Sequence, residues 1–155
     1  MAIHTLTRVQ NIPTDLQTLW DYISSPKNLK TITPDYMGFQ IKSDLPDKMY
    51  AGQMILYTVR PLFQIPLGWC TEITHVKELE YFVDEQRQGP YKIWHHQHHV
   101  KEIENGVEMT DIVHYQVPLG FLGEIFTPIL VKPKLHEIFD YRFKKMVELF
   151  GAYQP

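Results

Sequence analysis

A single cysteine, Cys70, is the first constraint the sequence imposes. One thiol cannot close an internal disulfide, which suits a reducing compartment and gives the expectation of a cytoplasmic protein. Basic excess is also missing. Fifteen Lys and Arg stand against 18 Asp and Glu, a formal net charge of −3 with eight neutral histidines. The electrostatic footprint of a nucleic-acid binder is therefore lacking. No apolar run approaches the roughly 18 residues of a spanning helix. The opening MAIHTLTRVQ has no basic stretch followed by an apolar one, so neither a membrane span nor a secretory signal is expected. Repeats, linkers and low-complexity tracts do not occur. A nucleophile elbow, a phosphate-cradling glycine loop and a dinucleotide fingerprint are absent too, and no cofactor is assigned.

What is present is apolar material. Hydrophobic residues make up 44% of the 155 and aromatics 13%. A chain of this length buries roughly 70% of its unfolded surface, so one domain spanning 1–155 needs no staple. Ile3, Thr5, Thr7 and Val9 alternate over 2–10, which predicts a strand. Thr14 and Gln17 make a capping-box pattern ahead of Leu16, Leu19, Trp20 and Ile23, one apolar helical face. Ser25-Pro26 starts a second short helix running to about Ile32.

From Met37 onward, segments rich in Ile, Val, Thr and Tyr alternate with Gly, Pro and Asn breaks. Strands are expected at 37–42, 51–60, 69–77, 81–87, 92–102 and 107–117. The apolar 121–132, interrupted by Pro128, reads as an irregular lip. A helix follows from about Lys134 to Phe150, with Pro133 in its first turn and Gly151 as its stop. This order predicts an α+β fold of the helix-grip kind: a curved antiparallel sheet of about seven strands wrapped around a long C-terminal helix, with two short helices after the first strand. The helix can fill the concave face or leave a gap. Abundant aromatics and polar inward positions favour a gap.

Those polar positions follow from parity. Val107, Met109, Val113, Tyr115 and Val117 share the apolar face of the last strand, with Asp111 as the exception among them. An Asn105-Gly106 hairpin turn places Glu104 opposite Val107, Val100 opposite Asp111, His98 opposite Val113, His96 opposite Tyr115 and Trp94 opposite Val117. Trp94, His96 and His98 then face the helix, while His95, Gln97 and His99 face away. A bulge would invert this. At the preceding turn, Gly89-Pro90, an odd loop puts Phe82, Asp84 and Gln86 on the inner face, with Asp84 near His96. An even loop puts Tyr81, Val83 and Glu85 there instead.

The strings FVDEQRQGPYKIWHHQHH, MTDIVHYQVPLGFLG and IFDYR, together with the element order, resemble a bacterial branch of the SRPBCC (START/Bet v 1-like) superfamily. Members of that branch are described as polyketide cyclase/dehydrase-like or cell division inhibitor-like. The resemblance covers nearly the whole chain and implies a deep cavity between sheet and C-terminal helix. It implies lipids, sterols, polyketides or hormones as the class of ligand, and cyclisation or dehydration in some members. The branch's patterns fall on Phe82, Asp84 and Gln86, on Gly89, Pro90 and Tyr91, on Trp94, His96 and His98, on Asp111 and Tyr115, and on Arg142. Val100 departs from the aromatic that the branch tends to carry there.

His96, His98, Asp84, Asp111 and Tyr115 form the sharpest constellation. Buried polar groups need partners, so the cluster is a structural network, a ligand-facing site, or an acid–base pair in which an aspartate orients a histidine. Alternate histidines on a strand can also share a metal ion, with Asp84 or Asp111 completing the set. That third ligand is open, and no metal is assigned. Arg142 either anchors a ligand carboxylate or carbonyl or pairs with an acid such as Asp111. Cys70, without an activating neighbour, reads as a small buried residue. The leading expectation is binding of a small hydrophobic or aromatic molecule. A cyclase or dehydratase using His96 or His98 with Asp84 or Asp111, and a domain acting on a protein partner, are the alternatives. The sequence does not specify an oligomeric state.

Overall fold

A computed structural model gives the fold and describes residues 2–60, 65–118, 120, 123, 125 and 127–155. The chain opens with β1 (His4–Ile12) and α1 (Leu16–Ile23), then two 3-10 turns at Pro26–Lys30 and Asp35–Met37. Six strands follow: β2 (Gln40–Ile41), β3 (Gln53–Val59), β4 (Leu67–Lys77), β5 (Tyr81–Gln88), β6 (Ile93–Ile103) and β7 (Gly106–Gln116). A π-helical turn at Thr127–Val131 runs directly into α2 (Lys132–Phe150). Within the lip expected at 121–132, residues 121, 122, 124 and 126 lie outside the described residues. All seven strands form one antiparallel sheet in the order β1-β7-β6-β5-β4-β3-β2. Two register shifts in the β4–β5 pairing, at Cys70/Thr71 and Ile73/His75, bend the middle of the sheet. This is the predicted α+β architecture.

Three stretches of the chain depart from the sequence reading. The first is the N-terminal cap of α1. Asp15, not Thr14, caps it: its Oδ1 accepts from the Thr18 backbone N–H at 2.8 Å. Gln17 donates instead to Asp21 Oδ1 at 3.0 Å. The helix begins one residue later than the Thr-x-x-Gln pattern places it, and a carboxylate fits the cap as well as a hydroxyl. The second is the short helix after Ser25, which is a 3-10 turn. The expected 37–42 strand likewise shrinks to two residues, because Asp35–Met37 coils into a turn ended by Gly38 at φ +53°.

The third is the β6–β7 register. Ile103 pairs with Gly106, His98 with Asp111, His96 with Val113 and Trp94 with Tyr115, a slip of two residues from the expected pairing. Glu104 and Asn105 make the turn, and Asn105 takes the left-handed conformation at φ +61°. Gly106 is already in the strand. Its lack of a Cβ is required there because a Cβ would collide with the backbone carbonyl of Ile12. Gly106→Ala is accordingly expected to destabilise the fold by about 1–3 kcal/mol, read as a lower denaturation midpoint at unchanged m-value. A slip of two preserves the side-chain alternation, so the predicted inner face holds. It also brings Asp111 opposite His98.

Packing falls into three clusters, one of them Met37, Phe39 and Val59 beside the edge strands. Against α1, Trp20, Leu19, Ile12, Phe82, Val107, Met109 and Met146 form a closed core. Farther along α2, Leu135 and Phe139 pack on Leu6, Val113 and Tyr115. Residues 135, 139, 142 and 146 repeat along one stripe of α2. Three of them are buried apolar side chains, and the fourth is Arg142. The helix is tied to β1 by Arg8, which donates to His136 Nδ1 at 2.8 Å and to Asp140 Oδ1 at 2.9 Å, and by Gln10, whose amide donates to the Phe143 carbonyl at 3.1 Å.

Candidate functional site

Between the concave face of the sheet and α2 lies a cavity of about 460 Å³. That volume is within the roughly 300–1,000 Å³ of small-molecule pockets. Its far wall is aromatic. Tyr57 stacks on Trp69 at 5.7 Å between ring centroids, and Trp69 meets Trp94 edge-on at 5.4 Å. The Tyr57 hydroxyl shares a 2.9 Å hydrogen bond with Thr71 Oγ1, and burial pushes the phenols of Tyr57 and Tyr91 up. Leu29 and Ile32 from the N-terminal turns close one side, and Leu135, Ile138 and Phe139 of α2 close another.

One end of the cavity is polar. His96 and His98, two apart on β6, point the same way with ring centroids 3.7 Å apart. Asp84 lies directly opposite His96 on β5, and Asp111 directly opposite His98 on β7. Each carboxylate also reaches the diagonal histidine. His96 Nε2 and Asp111 Oδ1 form a hydrogen bond at 3.0 Å, and His98 Nε2 and Asp84 Oδ2 one at 2.8 Å. The second nitrogen of each ring approaches the other acid: His98 Nδ1 is 2.8 Å from Asp111 Oδ1, and His96 Nδ1 is 3.4 Å from Asp84 Oδ2. Four imidazole nitrogens thus face two carboxylates in a buried place.

Electrostatics within this square are strong. Burial pushes both carboxyl groups up, but the facing imidazoles outweigh it and hold Asp84 and Asp111 well below the usual carboxylate range. Burial also pushes His96 down, and the Asp84 charge together with the hydrogen bond to Asp111 more than offsets it, so the net shift is upward. Arg142 stands beside the square with its side chain 12% exposed and its guanidinium 3.8 Å from Asp111 Oδ1, too far for a hydrogen bond. Among the described residues its Nε is buried without a hydrogen-bond partner. Phe139 packs against both, its ring 5.6 Å from the His96 ring and 5.0 Å beneath the guanidinium.

Of the residues singled out in the sequence, Phe82, Asp84, Trp94, His96, His98, Asp111 and Arg142 line the cavity together. Phe82 lies flat on His98, 4.0 Å between centroids at 16°. Gln86 and Tyr115 do not line it. The Gln86 amide donates to the Tyr91 carbonyl at 2.6 Å and accepts from the Tyr91 N–H at 3.1 Å, which shapes the β5–β6 loop and sets Tyr91 on the wall. Tyr115 is buried beneath, stacked on His4 at 5.4 Å. The loop has the odd length that turns Asp84 inward. Tyr57 and Thr71 were not singled out in the sequence, although the alternation Ile55, Tyr57, Val59 carries a signal for the first.

A seven-stranded antiparallel sheet gripping one C-terminal helix over such a cavity is a helix-grip architecture. No protein-family model matches the chain, and no curated protein does. Solved structures do. A protein from Arthrobacter aurescens superposes with a TM-score of 0.70 at 12% identity, over 93% of this chain and 86% of that one. Major latex-like protein 151 of Panax ginseng superposes with 0.65 at 9%, over 96% and 97%. Ara h 8.0201 superposes with 0.61 at 13%, over 95% and 99%. At these identities the likeness establishes the fold.

Proposed function

We propose that this protein binds a small hydrophobic or aromatic molecule in the cavity between the sheet and α2. One observation carries the reading: about 460 Å³ of space walled mostly by aromatic and aliphatic side chains, with two histidines, two aspartates and an arginine gathered together in its lining. That is the makeup of a pocket in which apolar contact supplies affinity and a few convergent polar groups set orientation. Packed cores leave few voids larger than a water molecule, so a space this size has a use beyond stability. The ligand's apolar body would lie along Tyr57, Trp69 and Trp94. Its polar end would face Arg142, whose guanidinium has donors to spare.

Two measurements test this. Native mass spectrometry of freshly purified protein is expected to show a retained small molecule as added mass. Titration with an apolar fluorophore is expected to quench Trp69 and Trp94 emission. Ile138→Trp, which fills the cavity from α2, is expected to reduce fluorophore affinity at least about tenfold while leaving the melting temperature within a few degrees of wild type. Unchanged affinity in a folded Ile138→Trp variant would place binding elsewhere.

A second reading has its own observation. His96 and His98 are oriented by carboxylates and exposed to the same cavity, which is the arrangement an acid–base cyclase or dehydratase needs. Turnover of a retained ligand, lost in His98→Ala at unchanged affinity, would favour it over carriage alone.

A further inference from the structure

We propose that Asp84, His96 and His98 bind one divalent first-row transition-metal ion at the polar end of the cavity, through one carboxylate oxygen and two imidazole nitrogens. The site stands independently of any organic ligand. One ligating atom from each of the three residues lies within 4.8 Å of the others. Asp84 Oδ2 is 3.4 Å from His96 Nδ1 and 2.8 Å from His98 Nε2. Donors bound to one ion at about 2.0–2.2 Å sit roughly 3 Å apart, so these two edges need only small side-chain adjustments. Outside this cluster of two histidines and two aspartates, no group of three such side chains converges among the described residues, although His95, His99 and His114 lie on the opposite face of the same strands.

Asp111 supplies the more specific argument. Its Oδ1 is 3.0 Å from His96 Nε2 and 2.8 Å from His98 Nδ1, the ring nitrogens that face away from Asp84. Metal-bound imidazoles almost always give their second N–H to a carboxylate or carbonyl, which fixes the tautomer. Here one carboxylate is placed to do that for both rings. With the protons on the Asp111 side, the lone pairs of His96 Nδ1 and His98 Nε2 point toward the Asp84 carboxylate. Lone pairs facing a carboxylate in a buried place repel unless a proton or a metal cation lies between them, and a divalent ion can take the place of those protons and satisfy all three donors at once. The remaining coordination positions open into the cavity, where water or a ligand oxygen fits. Two imidazoles and one carboxylate suit Zn²⁺, Co²⁺ or Fe²⁺ rather than Ca²⁺ or Mg²⁺, which take oxygen donors.

The test uses full-length protein stripped with a chelator and titrated with Zn²⁺ by calorimetry and with Co²⁺ by visible absorption. One equivalent is expected to bind, with cobalt d–d bands of a four- or five-coordinate ion and a raised melting temperature on zinc addition. Asp111→Asn is expected to weaken zinc binding about 10- to 100-fold, and Asp84→Asn and His98→Gln more than that. His99→Ala, on the outer face, is expected to bind as wild type does. Circular dichroism identifies any variant that does not fold, and the wild-type cobalt spectrum and stoichiometry then decide alone. Folded wild-type protein that takes up no metal would overturn the proposal. So would affinity unchanged in folded Asp84→Asn and His98→Gln, or lost equally in His99→Ala.

Discussion

Replacing Asp111 by alanine is expected to lower folding stability by about 3–5 kcal/mol, seen in urea or guanidinium unfolding and as a fall in Tm on the order of 10 °C. The side chain is 4% exposed and sits between two imidazoles and a guanidinium. Its removal leaves the Arg142 charge buried without any carboxylate against it. Two imidazole nitrogens also lose their acceptor. Breaking a buried ionic group from one side costs more than removing the whole group, because the survivors keep their desolvation penalty. Asp111→Asn keeps the shape and one acceptor oxygen, and is expected to recover part of the loss. A double replacement of Asp111 and Arg142 by apolar residues of similar volume is expected to be milder than the sum of the two single changes. Asp111→Ala with stability within 1 kcal/mol of wild type would show that the square contributes little to the fold.

The second large effect is expected at Trp20, one aromatic ring removed from the polar groups. Trp20→Ala should cost about 3–5 kcal/mol. The indole is 2% exposed and meets Phe82 edge-on at 6.2 Å within the closed core under α1. Its loss leaves a void between the sheet, α1 and α2 that those elements cannot fully collapse into. Because Phe82 lies flat on His98, the same change should loosen that ring and weaken whatever binds against it. Trp20→Phe fills most of the space and should cost well under half as much. Equal stability of Trp20→Ala and Trp20→Phe would mean that the site relaxes freely, against the packing described here.

Much of this was readable without coordinates. Alternation in 107–117 assigned the inner face of β7 correctly, Asp111 included, because side chains on a strand alternate strictly. The same rule placed His96 and His98 inward. What it could not supply was register. The Asn105-Gly106 pair suggested one turn, while in the structure Glu104 and Asn105 make it and Gly106, lying close against the Ile12 carbonyl of β1, is already in the strand. That register pairs Asp111 with His98. Asp84 was legible only as one of two outcomes, since loop length at Gly89-Pro90 set its direction. Tyr57 and Thr71 were harder still. Between β5 and β3 the register shifts twice in β4, and parity cannot be carried across irregularities that nothing local announces. Arg142 was visible as a charge beside an apolar helical stripe. Its choice between partners rested on a separation of 3.8 Å, which only the packed helix determines.

The way α2 is attached gives the pocket a direction of give. Four of the five polar residues at its end ride on β5, β6 and β7, which are laced by backbone ladders and resist spreading. The fifth travels with α2, held to β1 by the side chains of Arg8 and Gln10. A bulky guest would therefore make room by tilting the helix like a jaw on that lateral fastening, and the gap between Arg142 and Asp111 would open first. Occupancy would register as slackening at Arg8, a distance of several side chains from the guest itself.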